Sequence, residues 1–270
     1  MKTIKNVISV RDNWFAILVF LFFAAVTVEP CTAQDQSRTA RGRIAVTTIK
    51  IKPDMVSDFQ NMVNDEVNPA IAKGGIKWQD IWQPATFGEG FEFILVSPIE
   101  NFAQYDSPGP LAKGLGREGY AAWAAKSTKM VSSLRTCAYE MRSDLSYEPE
   151  MTAPPKMAVV NFVSVAPGRN TEFENFIKGE WLSAVKKSGI RGYFVHQLVF
   201  GGDINEYMVV ALHENFAELD KGQPAARVLG QESMTKLMQK LPVGVVTHQE
   251  RIVARFNAEL SYRPAPAMAK

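Results

Sequence analysis

Trp78, Asp80 and Trp82 form the arrangement in this sequence best suited to chemistry. In an extended strand, alternate residues share a face, so one carboxylate stands between two indoles. An acid held that way lines an aromatic pocket and could serve as a base. A later segment holds Tyr193, Phe194 and His196 in a similar setting. A neutral histidine there could be a base, an axial haem ligand, or a core residue satisfied by one hydrogen bond. Trp78, Trp82, Tyr193 and Phe194 are the candidate ligand-binding wall. Two further carboxylates complete the candidate set, with Asp80 and His196, for catalysis. At about 100° per residue, Glu66 falls at about 340° within the apolar stripe of Phe59, Met62, Val63 and Ala70. Glu180 falls likewise among Phe173, Phe176, Ile177 and Ala184. A carboxylate on a buried face has a raised pKa unless a partner offsets its charge, and can then act as a general base. The plainer reading is a structural ion pair at each position.

Much other chemistry is excluded. His196, His213 and His248 lack metal-ligand spacing, so no metal is expected. Gly114-Leu115-Gly116-Arg117-Glu118-Gly119 matches the dinucleotide fingerprint, but it follows Pro108-Gly109-Pro110 instead of a strand and does not qualify. There is no nucleophile elbow and no phosphate-binding loop. A net charge of +2 without a clustered basic face gives no nucleic-acid footprint.

Residues 1–33 read as a secretory signal peptide. Lys2, Lys5 and Arg11 precede the apolar run from Trp14 to Val28, and Cys31-Thr32-Ala33 supplies small residues before Gln34. The expected protein is exported, periplasmic or secreted, with no membrane attachment once the signal is cut; a retained anchor is the alternative. Cys31 leaves with the signal or sits beside the cut. Cys137 then stands alone, without an intramolecular disulfide.

The elements that must position these residues come twice. Ile51-Lys52-Pro53, Phe59 and Met62 recur as Val165-Ala166-Pro167, Phe173 and Phe176, a shift of 114 residues from Pro53 to Pro167. At the same shift Glu66 meets Glu180, Gly75-Ile76 meets Gly189-Ile190, and Glu100-Asn101-Phe102-Ala103 meets Glu214-Asn215-Phe216-Ala217. One residue further on, Asp144-Leu145-Ser146-Tyr147 meets Glu259-Leu260-Ser261-Tyr262. Two copies of one small domain follow. The first holds strands at 43–51, 76–83, 91–96 and 134–147, with helices at 55–73 and 111–131. The second holds strands at 158–165, 190–200, 205–212 and 251–262, with helices at 170–187 and 225–241. The expected layout is a flexible lead-in at 34–42, repeat 1 at 43–147, a proline-rich linker at 148–156, repeat 2 at 157–262, and a tail at 263–270.

The order β-α-β-β-α-β is the ferredoxin-like unit. In element order and size the chain resembles the dimeric α+β barrel superfamily, which includes antibiotic-biosynthesis monooxygenases, EthD-like proteins and the NIPSNAP group. The resemblance covers both repeats and rests on no diagnostic motif. It implies an α+β fold in which two tandem ferredoxin-like repeats form a pseudo-dimeric barrel within one chain.

The expected role is binding of a small apolar or aromatic molecule. Other readings are a cofactor-independent monooxygenase or isomerase, a haem-binding enzyme using His196, and a structural or interaction protein without ligand. Further homo-oligomerisation stays open. Divergence between matched positions points to the site: Trp78, Asp80 and Trp82 stand opposite Gly192, Phe194 and His196. N-terminal sequencing of exported protein should give Gln34 as the first residue; a mature chain beginning at Met1 would overturn the cleavage.

Overall fold

The computed structural model describes residues 42–151 and 153–264; the expected signal peptide and its cut site lie outside them. The strands are β1 (Arg43–Ile51), β2 (Asp80–Pro84), β3 (Glu92–Pro98), β4 (Val131–Met141), β5 (Met157–Val165), β6 (Tyr193–Phe200), β7 (Glu206–His213) and β8 (Val246–Phe256). Four main helices accompany them: α1 (residues 56–73), α2 (Pro110–Met130), α3 (residues 170–187) and α4 (Pro224–Met238). The strands close a barrel in the order β1-β3-β2-β8-β5-β7-β6-β4. Each half is a βαββαβ unit, and each half's last strand pairs with the other half's second strand.

The two seams have the same register. Trp82 faces Phe256 and Gln83 faces Arg255 across β2–β8. Their counterparts, His196 facing Met141 and Gln197 facing Glu140, close β6–β4. Beyond each seam a strap crosses into the other half. Tyr262 bridges Gln79, as Tyr147 bridges Tyr193. Ser261 Oγ accepts from Ile81 N at 2.8 Å, and Ser146 Oγ from Val195 N at 2.9 Å. The repeated Leu-Ser-Tyr is therefore the strap that locks each half onto its neighbour.

Strand alternation sorts the remaining side chains into an inner and an outer layer. Outside the barrel, α1 and α2 cover Ile49, Ile51 and Phe93, Phe59 of α1 packs among them, and Leu260 joins that cluster from the second repeat. Around α3 and α4, Val163, Val165, Phe173 and Tyr207 make the matching cluster, joined by Leu145 from the first repeat. Phe59 meets Phe93 at 4.7 Å between ring centroids, and Phe173 meets Tyr207 at 4.9 Å. Gly114, the first glycine of the false dinucleotide motif, serves packing. A Cβ on Gly114 would lie 1.9 Å from the Ala70 carbonyl oxygen, and one on Gly74 equally close to that of Pro110. Only glycine lets α1 and α2 approach so closely.

Two expectations need correction. The last strand of each repeat starts earlier than expected, and its final residues are not strand. Helix α2 runs straight into β4 at Met130 and Val131 without a loop. Ser143–Leu145 is a tight turn instead of extended chain. In the second repeat Asn257 ends the ladder, because its side chain accepts from Leu260 N at 3.0 Å and its carbonyl from Ser261 Oγ at 2.6 Å.

The second correction concerns Glu66 and Glu180. Helices α1 and α3 each contain one wide turn, in which Asn68 N donates to Val63 O and Leu182 N to Ile177 O, five residues back. The extra residue turns the helix out of the regular phase. Val67 is buried, and Glu66 moves to the edge of the stripe with a side chain 34 % exposed; that of Glu180 is 59 % exposed. Lys126 Nζ donates to Glu66 Oε1 at 2.6 Å, and Lys240 makes the matching pair with Glu180. These are surface pairs of one kind, duplicated with the fold.

Leu145 and Leu260 are 0 % and 3 % exposed. Leu145→Ala and Leu260→Ala should each lower unfolding stability by about 2–5 kcal/mol. Each opens a cavity under a strap from the other repeat, so denaturant titration should still show one transition for the whole barrel. Two separated transitions would mean that the halves are not interlocked.

Candidate functional site

The inward faces of the strands line a cavity of about 1240 Å³ that opens to solvent. Its walls alternate along each strand: Ile44 and Val46 on β1, Ile94 and Val96 on β3, Val160 and Phe162 on β5, Val210 and Leu212 on β7. Trp78, Asp80, Trp82, Phe194 and His196 line the same cavity, so the two segments singled out by divergence meet in one place. Trp78 precedes β2 instead of lying in it.

Tyr193 does not join them. Alternation turns it outward into the core under α3, where its hydroxyl accepts from Trp181 Nε1 at 2.9 Å. Glu66 and Glu180 lie on the helical outer layer, away from the cavity walls.

The divergent positions compensate one another in part. A Cβ on Gly192 would come within 2.7 Å of Phe194 Cε2. The Phe194 ring therefore folds over the space a larger residue would need, which explains why glycine replaces tryptophan there. Asp80 is buried and paired side-on: Arg263 Nε donates to Oδ1 at 2.8 Å and Nη2 to Oδ2 at 2.6 Å. Held this way it anchors a cation and is no free base. Nothing in the sequence around Arg263 marked it, since it falls in the expected tail; its position just past the repeated Leu-Ser-Tyr strap was the signal available.

His196 is 8 % exposed, and its Nδ1 is buried with no hydrogen-bond partner among the described residues. Burial pushes its pKa down to about 4, against a smaller opposing contribution from the Met208 backbone. The ring is neutral at physiological pH. Phe194 packs beside it at 6.5 Å between centroids.

At the rim, Arg142 pairs with Glu174 and with Asp144, and Lys178 Nζ donates to Asp144 at 3.1 Å. Two glutamates that begin matching strands are half-buried. Glu206 lies at the inner end of β7 and accepts from the Tyr139 hydroxyl at 2.7 Å. Its counterpart Glu92 is half-buried, and desolvation raises its pKa, with a smaller contribution from Glu89.

Haem does not fit these residues. Nδ1 of His196, the ring nitrogen without a partner, is itself buried and offers iron no approach. The cations lining the cavity, Arg142, Lys178 and Arg263, are each committed to a carboxylate, so none is left for propionates. Among the described residues no three His, Cys, Asp or Glu side chains gather as a metal site.

No family model and no curated relative matches the chain. Solved structures do resemble it. One is a protein provisionally named a monooxygenase from Fusobacterium nucleatum, with 12 % identity and a TM-score of 0.57, covering 84 % of this chain and 99 % of its own. A second, also provisionally named a monooxygenase, is from Lactobacillus acidophilus, with 9 % identity, a TM-score of 0.52, and coverage of 80 % and 94 %. A third is an anthrone oxidase-like protein with 10 % identity, a TM-score of 0.53, and coverage of 80 % and 91 %. At this identity the likeness is one of fold, and the fold is the dimeric α+β barrel.

The neutral His196 makes stability depend on pH. Its folded pKa of about 4 lies below the 6.5 of a free imidazole. Between these values the unfolded chain binds more protons, so stability falls as pH drops through that window. His196→Phe should flatten the fall: between pH 7 and 4.5 the wild type should lose about 2–3 kcal/mol more than the variant, by denaturant titration at each pH. Equal losses would place the proton elsewhere.

Proposed function

We propose that this protein binds one small, mostly apolar aromatic molecule inside the barrel. The observation that carries this reading is the cavity itself. It is large and walled by aliphatic and aromatic side chains from both repeats, with Asp80 paired to Arg263 and His196 set among them and a charged rim of Glu140, Arg142, Asp144, Glu148 and Lys178. Sites for small molecules have this composition, an apolar wall with a few placed polar atoms. Export is part of the same proposal, supported by the charged and apolar N-terminal run.

One observation favours a second reading as an enzyme. His196 presents a neutral imidazole in an apolar enclosure, and two of the similar structures are provisionally named monooxygenases. A bound molecule with an acidic CH2 beside a carbonyl could lose one of its protons to His196. The carbanion would then take a proton at another carbon, which is isomerisation. Alternatively it would reduce O₂ to a hydroperoxide, which loses water to leave a ketone. A base with a pKa near 4 removes only protons that are already acidic, so binding ranks ahead of turnover.

A ligand at 100 times its Kd should stabilise the fold by about 2.7 kcal/mol. Screening neutral two- and three-ring aromatics against the mature protein should therefore raise its melting temperature and quench Trp82 fluorescence. No shift with any of them would remove the binding reading. His196→Phe should retain binding; if it retains turnover of a ligand found this way, histidine base chemistry is excluded.

A further inference from the structure

The connection between β2 and β3, residues 85–91, puts two aromatic rings in water. Phe87 is 62 % exposed and Phe91 51 %. The backbone that carries them is costly to hold. Thr86 has φ +68°, and Phe87 N donates to Ala85 O at 2.7 Å across it, a three-residue turn unusual for a β-branched residue. Phe91 has φ +62°. The second repeat makes the matching connection, residues 199–205, with positive φ on Gly201 alone. Phe87 has an equivalent there in packing: it meets Phe216 at 6.5 Å between centroids, as Phe200 meets Phe102 at 5.2 Å. Phe91 has none, for Asn205 stands in its place.

The charges around the two connections differ as well. Glu92 faces Lys50 across β1–β3, but Lys50 Nζ is drawn to Glu89 at 2.6 Å. Glu250 lies close enough to Glu92 to help raise its pKa, after the larger effect of desolvation and that of Glu89. In the second repeat Glu206 is held by the Tyr139 hydroxyl, and Arg135 occupies the place of Glu250. Ala254 replaces that tyrosine in the other half, so Glu92 lacks the same partner. Three carboxylates and one lysine therefore surround the exposed rings. None of these residues lines the cavity.

We propose that the β2–β3 hairpin docks a cationic, amphipathic segment of a partner protein. Its apolar side chains would lie against Phe87 and Phe91, and its lysines or arginines would reach Glu89, Glu92 and Glu250. A cation beside a carboxylate and over an aromatic face is attracted by both. The chain as a whole carries +2, so a cationic segment has no general attraction to it and is drawn by this patch. The same carboxylates oppose docking on an anionic bilayer.

Fluorescence anisotropy with the mature protein tests this, using a labelled peptide of alternating leucine and lysine and its leucine–glutamate analogue. Co-sedimentation with phosphatidylglycerol vesicles tests the bilayer. The lysine peptide should bind, more weakly as salt rises, and the glutamate peptide and vesicles should not. Phe91→Asn and Glu250→Arg each install the residue of the second repeat. Each should weaken the lysine peptide about tenfold, the scale of one cation–π or ion-pair contact, without lowering the melting temperature. Glu250→Gln serves if the arginine variant fails to fold. Asp203→Asn, on the other hairpin, should leave binding unchanged. Absence of lysine-peptide binding, equal binding of both peptides, or undiminished binding by Phe91→Asn would overturn the proposal. So would a loss through Asp203→Asn as large as that through Glu250→Arg. Binding to the vesicles in place of the lysine peptide would overturn it in favour of a lipid surface.

Discussion

Everything in this barrel depends on edge exchange between its halves. A four-stranded ferredoxin-like sheet ends in two strands whose backbone groups face water or another chain. Here β8 closes on β2 and β4 closes on β6 with identical register. The ladders across the seams are short, and the straps beyond them supply the rest. Leu145 and Leu260 enter the outer core of the opposite half, and Ser146 and Ser261 accept backbone N–H groups there. The cavity exists because both seams close; neither half alone encloses it.

The duplication made the architecture legible before any coordinate. A constant residue shift marks equivalent positions, and the switch from period two to helical spacing marks the elements. The Leu-Ser-Tyr repeat was visible, but its role was not. Local pattern reads it as strand, and only the other half supplies the partner that makes it a strap. Glu66 was misplaced for a related reason. Angular bookkeeping assumes a uniform helix, and one wide turn changes the phase by a residue. Tyr193 was chosen for its aromaticity although alternation with Phe194 already put the two on opposite faces.

For the cavity, comparison of the two repeats carried more than any motif. Matched positions that stay similar, such as Phe93 and Tyr207, build the shared scaffold. Trp78, Asp80 and Trp82 against Gly192, Phe194 and His196 identify the wall where the copies part. That contrast contained two kinds of change. The Gly192 and Phe194 exchange compensates in part within one half, the Phe194 ring lying over the glycine, whereas Asp80 gains a partner, Arg263, that the other half does not reproduce. Composition alone could not separate them, because compensation is a property of contacts.

The crossed straps also set a timetable for synthesis. The first repeat leaves the ribosome with β2 unpaired on one side and its outer core lacking Leu260, which is made only after the rest of the second repeat. It cannot complete its packing until the final strand and strap of the second repeat have emerged. The second repeat, by contrast, finds β4 and Leu145 already waiting for it. Cotranslational folding of this chain therefore finishes from its C-terminal end, and a truncation that spares all of the first repeat's own residues still leaves that repeat unfinished.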